Sequence, residues 1–135
     1  MNSLYKIVTT ILFFAVAAFF SVGCSSAPSE SDAQAVLESE GKGLIKLVSF
    51  SKTNAILSEV QGVKVYTLEY EATIEFLEDC WWRGPRMGFS WLSKREPRMI
   101  SLYNRARAGQ RELITGEMEF KKTEKGWRGE DGRIY

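Results

Sequence analysis

From Tyr66 to Phe76 the chain alternates apolar and polar residues without a break. Tyr66, Leu68, Tyr70, Ala72, Ile74 and Phe76 share one side; Thr67, Glu69, Glu71, Thr73 and Glu75 share the other. A period of two over this length predicts a long strand, Val63 to Leu77, with one face buried. Gln61-Gly62 marks the turn before it. Leu44 to Lys52, rich in Leu, Ile, Val and Phe, predicts a preceding strand. Glu112 to Lys122 alternates again, with Ile114, Met118 and Phe120 inward and Glu117, Glu119 and Lys121 outward. Thr123 to Gly126 predicts a hairpin turn, and Trp127 to Tyr135 a returning strand weakened by Gly129 and Gly132. Ahead of the strands, Ala33, Val36 and Leu37 fall at helical spacing within Asp32 to Glu40. Ser29 or Ser31 can cap this helix, and Gly41 and Gly43 stop it.

The order helix, strand, strand, long connection, strand, strand predicts an α+β domain over residues 32–135, with one N-terminal helix packed on a four-stranded antiparallel sheet. This order resembles the cystatin-like and NTF2-like groups. Those folds host many unrelated functions, so the resemblance implies an architecture and no particular activity. The connection at about 80–110 is too long for an ordinary hairpin loop. Ile100, Leu102, Tyr103 and Ala106 predict a short helix within it, after Pro97.

Upstream the pattern is different. Ile7 to Val22 is a 16-residue apolar stretch broken only by two Thr and one Ser, preceded by a single charge, Lys6. That is the length of a signal-peptide core and falls short of the roughly 20 residues that span a bilayer. It ends in Ser21-Val22-Gly23-Cys24. These residues resemble the lipobox of bacterial lipoproteins, with Ser21 where Leu is usual. The resemblance implies cleavage of residues 1–23 and lipidation of Cys24 by acyl chains such as palmitate. It further implies attachment to a membrane of the cell envelope. Ser25 in place of Asp implies the periplasmic face of the outer membrane in a Gram-negative cell. Residues 24–31 then read as the lipidated cysteine and a flexible polar tether.

Composition narrows the chemistry. The chain has no histidine, which excludes Ser-His-Asp and Cys-His catalysis, imidazole metal sites and histidine proton shuttles. No phosphate loop, CxxC or GxSxG spacing occurs, so the reading favours a non-enzyme without metal or cofactor. A row of strand carboxylates (Glu69, Glu71, Glu75, with Glu117 and Glu119) offers a catalytic pair or a Ca²⁺ site in principle, but the plainer reading is a solvated outer face. Cys80 reads as a buried small residue, with Arg83 favouring and Glu78 and Asp79 opposing a reactive thiolate.

The charge is divided along the chain. Cys24 to Cys80 holds 4 Lys and 10 Asp or Glu, whereas Trp81 to Tyr135 holds 13 Lys or Arg and 7 Asp or Glu. Between Arg83 and Arg111 there are eight basic residues and one acid, Glu96. Aromatic and arginine side chains interleave here, which suits an anionic envelope partner, either a protein or a lipid head group, rather than nucleic acid. Trp81, Trp82, Arg83, Arg86, Trp91, Arg95 and Arg98 are the candidate binding residues. The alternative is a ligand-binding or enzymatic pocket between helix and sheet, with Tyr66, Tyr70, Asp79 and Cys80 as its polar groups.

Overall fold

The computed structural model describes residues 26–83 and 92–135. Its helix α1 spans Glu30–Glu40, and six strands follow: β1 Ile45–Val60, β2 Val63–Phe76, β3 Cys80–Trp82, β4 Asn104–Ala106, β5 Arg111–Thr123 and β6 Gly126–Arg128. The main sheet has the antiparallel order β1-β2-β5-β6, and β3 and β4 pair in a second, two-stranded sheet. The expected α+β class, single helix and four-stranded antiparallel sheet are therefore present.

β2 forms the middle of the molecule. Its even-numbered residues from Tyr66 to Phe76 are all buried, and the side chains of Thr67, Glu69, Glu71, Thr73 and Glu75 are exposed or half-buried opposite them. Ile114, Met118 and Phe120 of β5 and Trp127 of β6 join the buried face, and Ala33, Val36 and Leu37 of α1 close it from above. Burying each large aliphatic or aromatic side chain this way stabilises by about 1.5–3 kcal/mol. The helix starts two residues before Asp32. Ser29 accepts from the Asp32 backbone N–H while the Asp32 carboxylate accepts from the Ser29 N–H, a reciprocal capping box.

The first strand runs eight residues past its predicted end at Lys52. The register explains why the pattern hid it. Bulges between Leu47 and Ser49 and between Lys52 and Asn54 each add a residue to β1. The inward position therefore shifts from Ile45 and Leu47 to Phe50 and Lys52, then back to Ala55 and Leu57. Beyond the second bulge only Ala55 is half-buried against the core and every other residue is exposed, so no alternation remains to be read. β1 and β2 are joined by a two-residue turn with Gln61 at φ 50° and Gly62 at φ 79°. Both central residues are left-handed, the geometry of the type I′ turns that match strand twist.

Two other expectations change. The helix after Pro97 is a single 3₁₀ turn, Ile100–Leu102, and Ala106 lies in β4, held by pairing with Cys80. The returning strand stops at Arg128. The chain then turns at Gly129–Gly132 and comes back so that Trp127 and Tyr135 exchange both backbone hydrogen bonds, at 3.0 and 2.8 Å. The tract before the helix is also engaged: Pro28 is buried, and Trp127 Nε1 donates to the Ser26 carbonyl at 3.0 Å.

One close approach is required by the register. Tyr70 stands opposite Gly116, and its ring lies across the position a side chain would fill. A Cβ at Gly116 would sit 2.7 Å from the Tyr70 hydroxyl. The Gly116→Ala variant is expected to lose about 1–3 kcal/mol, measured by urea unfolding. In a Tyr70→Phe background the loss should shrink. An alanine that leaves stability unchanged would show that the ring moves aside freely.

Candidate functional site

The second sheet builds the surface that concentrates aromatic and cationic groups. In β3 the alternation sends Cys80 and Trp82 into the core and leaves Trp81 half-exposed between them. Trp81 is fixed on two sides. It pairs with Arg105 in β4, whose guanidinium lies 5.9 Å from the indole ring centre. It also exchanges two backbone hydrogen bonds with Ser93, at 2.8 and 3.0 Å. The Ser93 hydroxyl then accepts from the Arg95 N–H at 3.1 Å, turning the chain directly after the bridge.

These constraints shape an open groove of about 440 Å³ lined by Lys42, Trp81, Leu92, Ser93, Arg95, Glu96, Pro97, Arg98 and Tyr103. Lys42, Arg95 and Arg98 are exposed, and none is held in a salt bridge among the described residues. Lys94, which points elsewhere, is neutralised by Glu78. The groove thus offers three cations without a salt bridge among the described residues against one carboxylate, beside the Trp81 and Tyr103 side chains. Arginine presents a planar fork to a carboxylate or phosphate, and an aromatic floor suits the apolar part of the same ligand.

The candidate residues separate accordingly. Trp81, Arg95 and Arg98 come together in the groove. Trp82 packs into the core against Phe76, ring centres 5.4 Å apart, and its indole N–H is buried without an acceptor among the described residues. Arg83 is half-buried next to it, and Arg86 and Trp91 lie outside the described residues. Lys42 and Tyr103 were missed as site residues. Lys42 lies far away in sequence, and only the pairing of Ile45 with Phe76 carries its turn to the start of β3.

The alternative pocket set is placed differently. Tyr66, Tyr70 and Cys80 are buried within the core, Tyr70 stacked on Phe50 at 5.2 Å, while Asp79 is exposed and accepts from the Ala108 N–H. Burial pushes the Cys80 thiol up, and Asp79 and Glu78 push it further, so it stays protonated and a poor nucleophile. On the outer face of the sheet Glu69 stands opposite Glu117, and Glu75 pairs with Arg111 at 3.1 Å. Among the described residues no cluster of acids and cysteines is arranged to hold a metal ion, and no helix is long and apolar enough to cross a membrane.

A second polar cluster went unread. Glu40 ends α1 beside Glu130 and Asp131 of the C-terminal turn, and Tyr135 donates to Asp131 at 2.7 Å. Burial first, then the charge and hydrogen bonding of Glu130 and the charge of Asp131, push the Glu40 carboxyl up to about 7. Burial first, then the charges of Glu40 and Glu130, push the Tyr70 hydroxyl up to about 12. Compared with protein-family models, curated proteins and solved structures, the chain matches none.

Because the folded value for Glu40 lies above its ordinary 4.5, the fold favours the protonated acid. The stability gained is complete below the ordinary value and is lost as the pH rises through about 7. Wild-type Tm is expected to fall from about pH 5 to about pH 8, and the Glu40→Gln variant to fall less. Identical pH profiles for the two proteins would contradict this placement of Glu40.

Proposed function

We propose that the protein is a lipid-anchored envelope protein, processed before Cys24, whose domain binds an anionic partner through the groove at Trp81, Arg95 and Arg98. The observation that carries the binding half is the set of unpaired cations around a fixed aromatic floor. Arg95 and Arg98 are exposed and hold no salt bridge among the described residues, and Glu96 is the one carboxylate that lines the groove with them. The domain acts as an adaptor, inhibitor or assembly factor rather than as an enzyme. The helix followed by an antiparallel sheet also supports a cystatin-like or NTF2-like reading of the fold. For the anchor, the support is the apolar stretch Ile7 to Val22 ending in Ser21-Val22-Gly23-Cys24. Two or three acyl chains on Cys24 make attachment lasting, since each buried CH₂ contributes about 0.8 kcal/mol. Ser25 supports the outer membrane, facing the periplasm.

Two measurements test the two halves. The N-terminal peptide of protein isolated from membranes should begin at Cys24 and carry the mass of acyl chains; an uncleaved Met1 start would contradict the processing. For the groove, a photo-cross-linker placed at the exposed Ser93 should capture a partner in living cells. The Arg95→Gln/Arg98→Gln variant, folded by circular dichroism, should lose that capture about tenfold or more, since each charge-assisted hydrogen bond contributes about 1.5–3 kcal/mol. Unchanged capture would overturn the groove as the binding site.

A further inference from the structure

The two hairpins of the main sheet turn at the same end. Val65 pairs with Lys121, so the β1–β2 turn at Gln61-Gly62 and the β5–β6 turn after Thr123 lie side by side. Four of the eight residues from Ile56 to Val63 are large, apolar and exposed: Ile56 at 54%, Leu57 at 61%, Val60 at 57% and Val63 at 41%. They sit on both faces, since Leu57 pairs with inward Tyr66 and Ile56 with outward Thr67. Single exposed apolar residues are ordinary, whereas four at one tip form a patch. Met99, Ile100 and Leu102 are exposed at the other end too, so the lysines and the place of the anchor, not apolarity alone, set the tip apart. Lys64, Lys121, Lys122 and Lys125 surround it, against Glu59 and Glu124.

The start of the described chain lies at this end too. Ser26 is held by Trp127, the register partner of Lys122, whose ammonium lies 5.2 Å from the indole ring centre. Cys24 is two residues earlier, and two residues of chain reach at most about 7 Å. The groove occupies the opposite end. Lys42 precedes Ile45 and Trp81 follows Phe76, and that pair lies a full length of β2 away from the tips. Fourteen residues of strand make that roughly 45 Å.

We infer that the hairpin end, Ile56–Val63 together with the turn at Thr123–Gly126, is a membrane-contacting surface that seats on the phospholipid bilayer holding the anchor. The inference rests on the anchored reading above. A short link fixes that end against the bilayer, the apolar wedge enters the interfacial layer, and the long lysine stems let their ammonium groups stay among anionic head groups. The groove then faces away from the anchoring membrane.

Full-length lipidated protein in vesicles of phosphatidylethanolamine and phosphatidylglycerol tests this. Cysteines introduced singly as Leu57→Cys, Val60→Cys and, at the groove end, Met99→Cys accept an environment-sensitive fluorophore, while buried Cys80 stays unlabelled, as wild-type protein checks. Labels at 57 and 60 should be quenched by spin-labelled lipid and shielded from aqueous iodide, and the label at 99 should behave oppositely. Protein that floats with the vesicles yet leaves the labels at 57 and 60 open to iodide overturns the inference and leaves the anchor standing. Labels shielded from both quenchers, as contact with a second copy would give, also overturn it. Protein that fails to float contradicts the anchored reading itself.

Discussion

The pairing of β2 with β1 on one side and β5 on the other is the constraint from which the rest follows. A strand has two faces, and a shift of one residue would move every side chain to the wrong one. From Tyr66 to Phe76 the even positions of β2 are apolar and the odd ones polar, so only one register keeps Leu68, Ile74 and Phe76 in the core and leaves Glu69 and Glu71 on the outer face. The gap at Gly116 that receives the Tyr70 ring ties β5 to that same register. So does the stacking of Phe50 on Tyr70 for β1.

Once that register is set, the ends of the sheet acquire different characters. One end holds both tight hairpin turns, with exposed aliphatic side chains and lysines. The other receives every longer connection: the Gly41–Leu44 turn, the β2–β3 link and the return from β4 into β5. Aromatic and guanidinium groups collect there. The docking of the 107–110 turn onto β2, where Phe76 donates to Gln110 and Gly109 donates back to Phe76, holds β4 beside β3 and so Arg105 on Trp81.

The legible parts of the fold were those whose period survives in the residues. β2 alternates unbroken from Tyr66 to Phe76, and β5 alternates through Ile114, Met118 and Phe120 despite an exposed Leu113, so both strands read from the chain to within a residue at each end. The helix was legible too, with Ser29 as one of its two candidate caps. β1 was not, because two bulges reverse its parity and its second half puts only Ala55 against the core. β3 and β4 were hidden because three-residue strands carry too few positions for a period, and Ala106 fitted a helix as well as a strand. At the site, local density of Trp and Arg marked Trp81, Arg95 and Arg98. It also marked Trp82, which alternation turns into the core. Lys42 and the Glu40–Glu130 contact depend on residues distant in sequence meeting through the sheet, and no local signal announces them.

The central claim is that the two ends of one sheet do opposite work, one seated on the membrane and the other presenting the groove. Neutron reflectometry on lipidated protein bound to a supported bilayer tests this arrangement directly. A sheet standing on its hairpin tips predicts a protein layer on the order of 45 Å high, set by the length of β2. A layer of about half that height, the thickness of a helix packed on a sheet lying flat, would contradict the account.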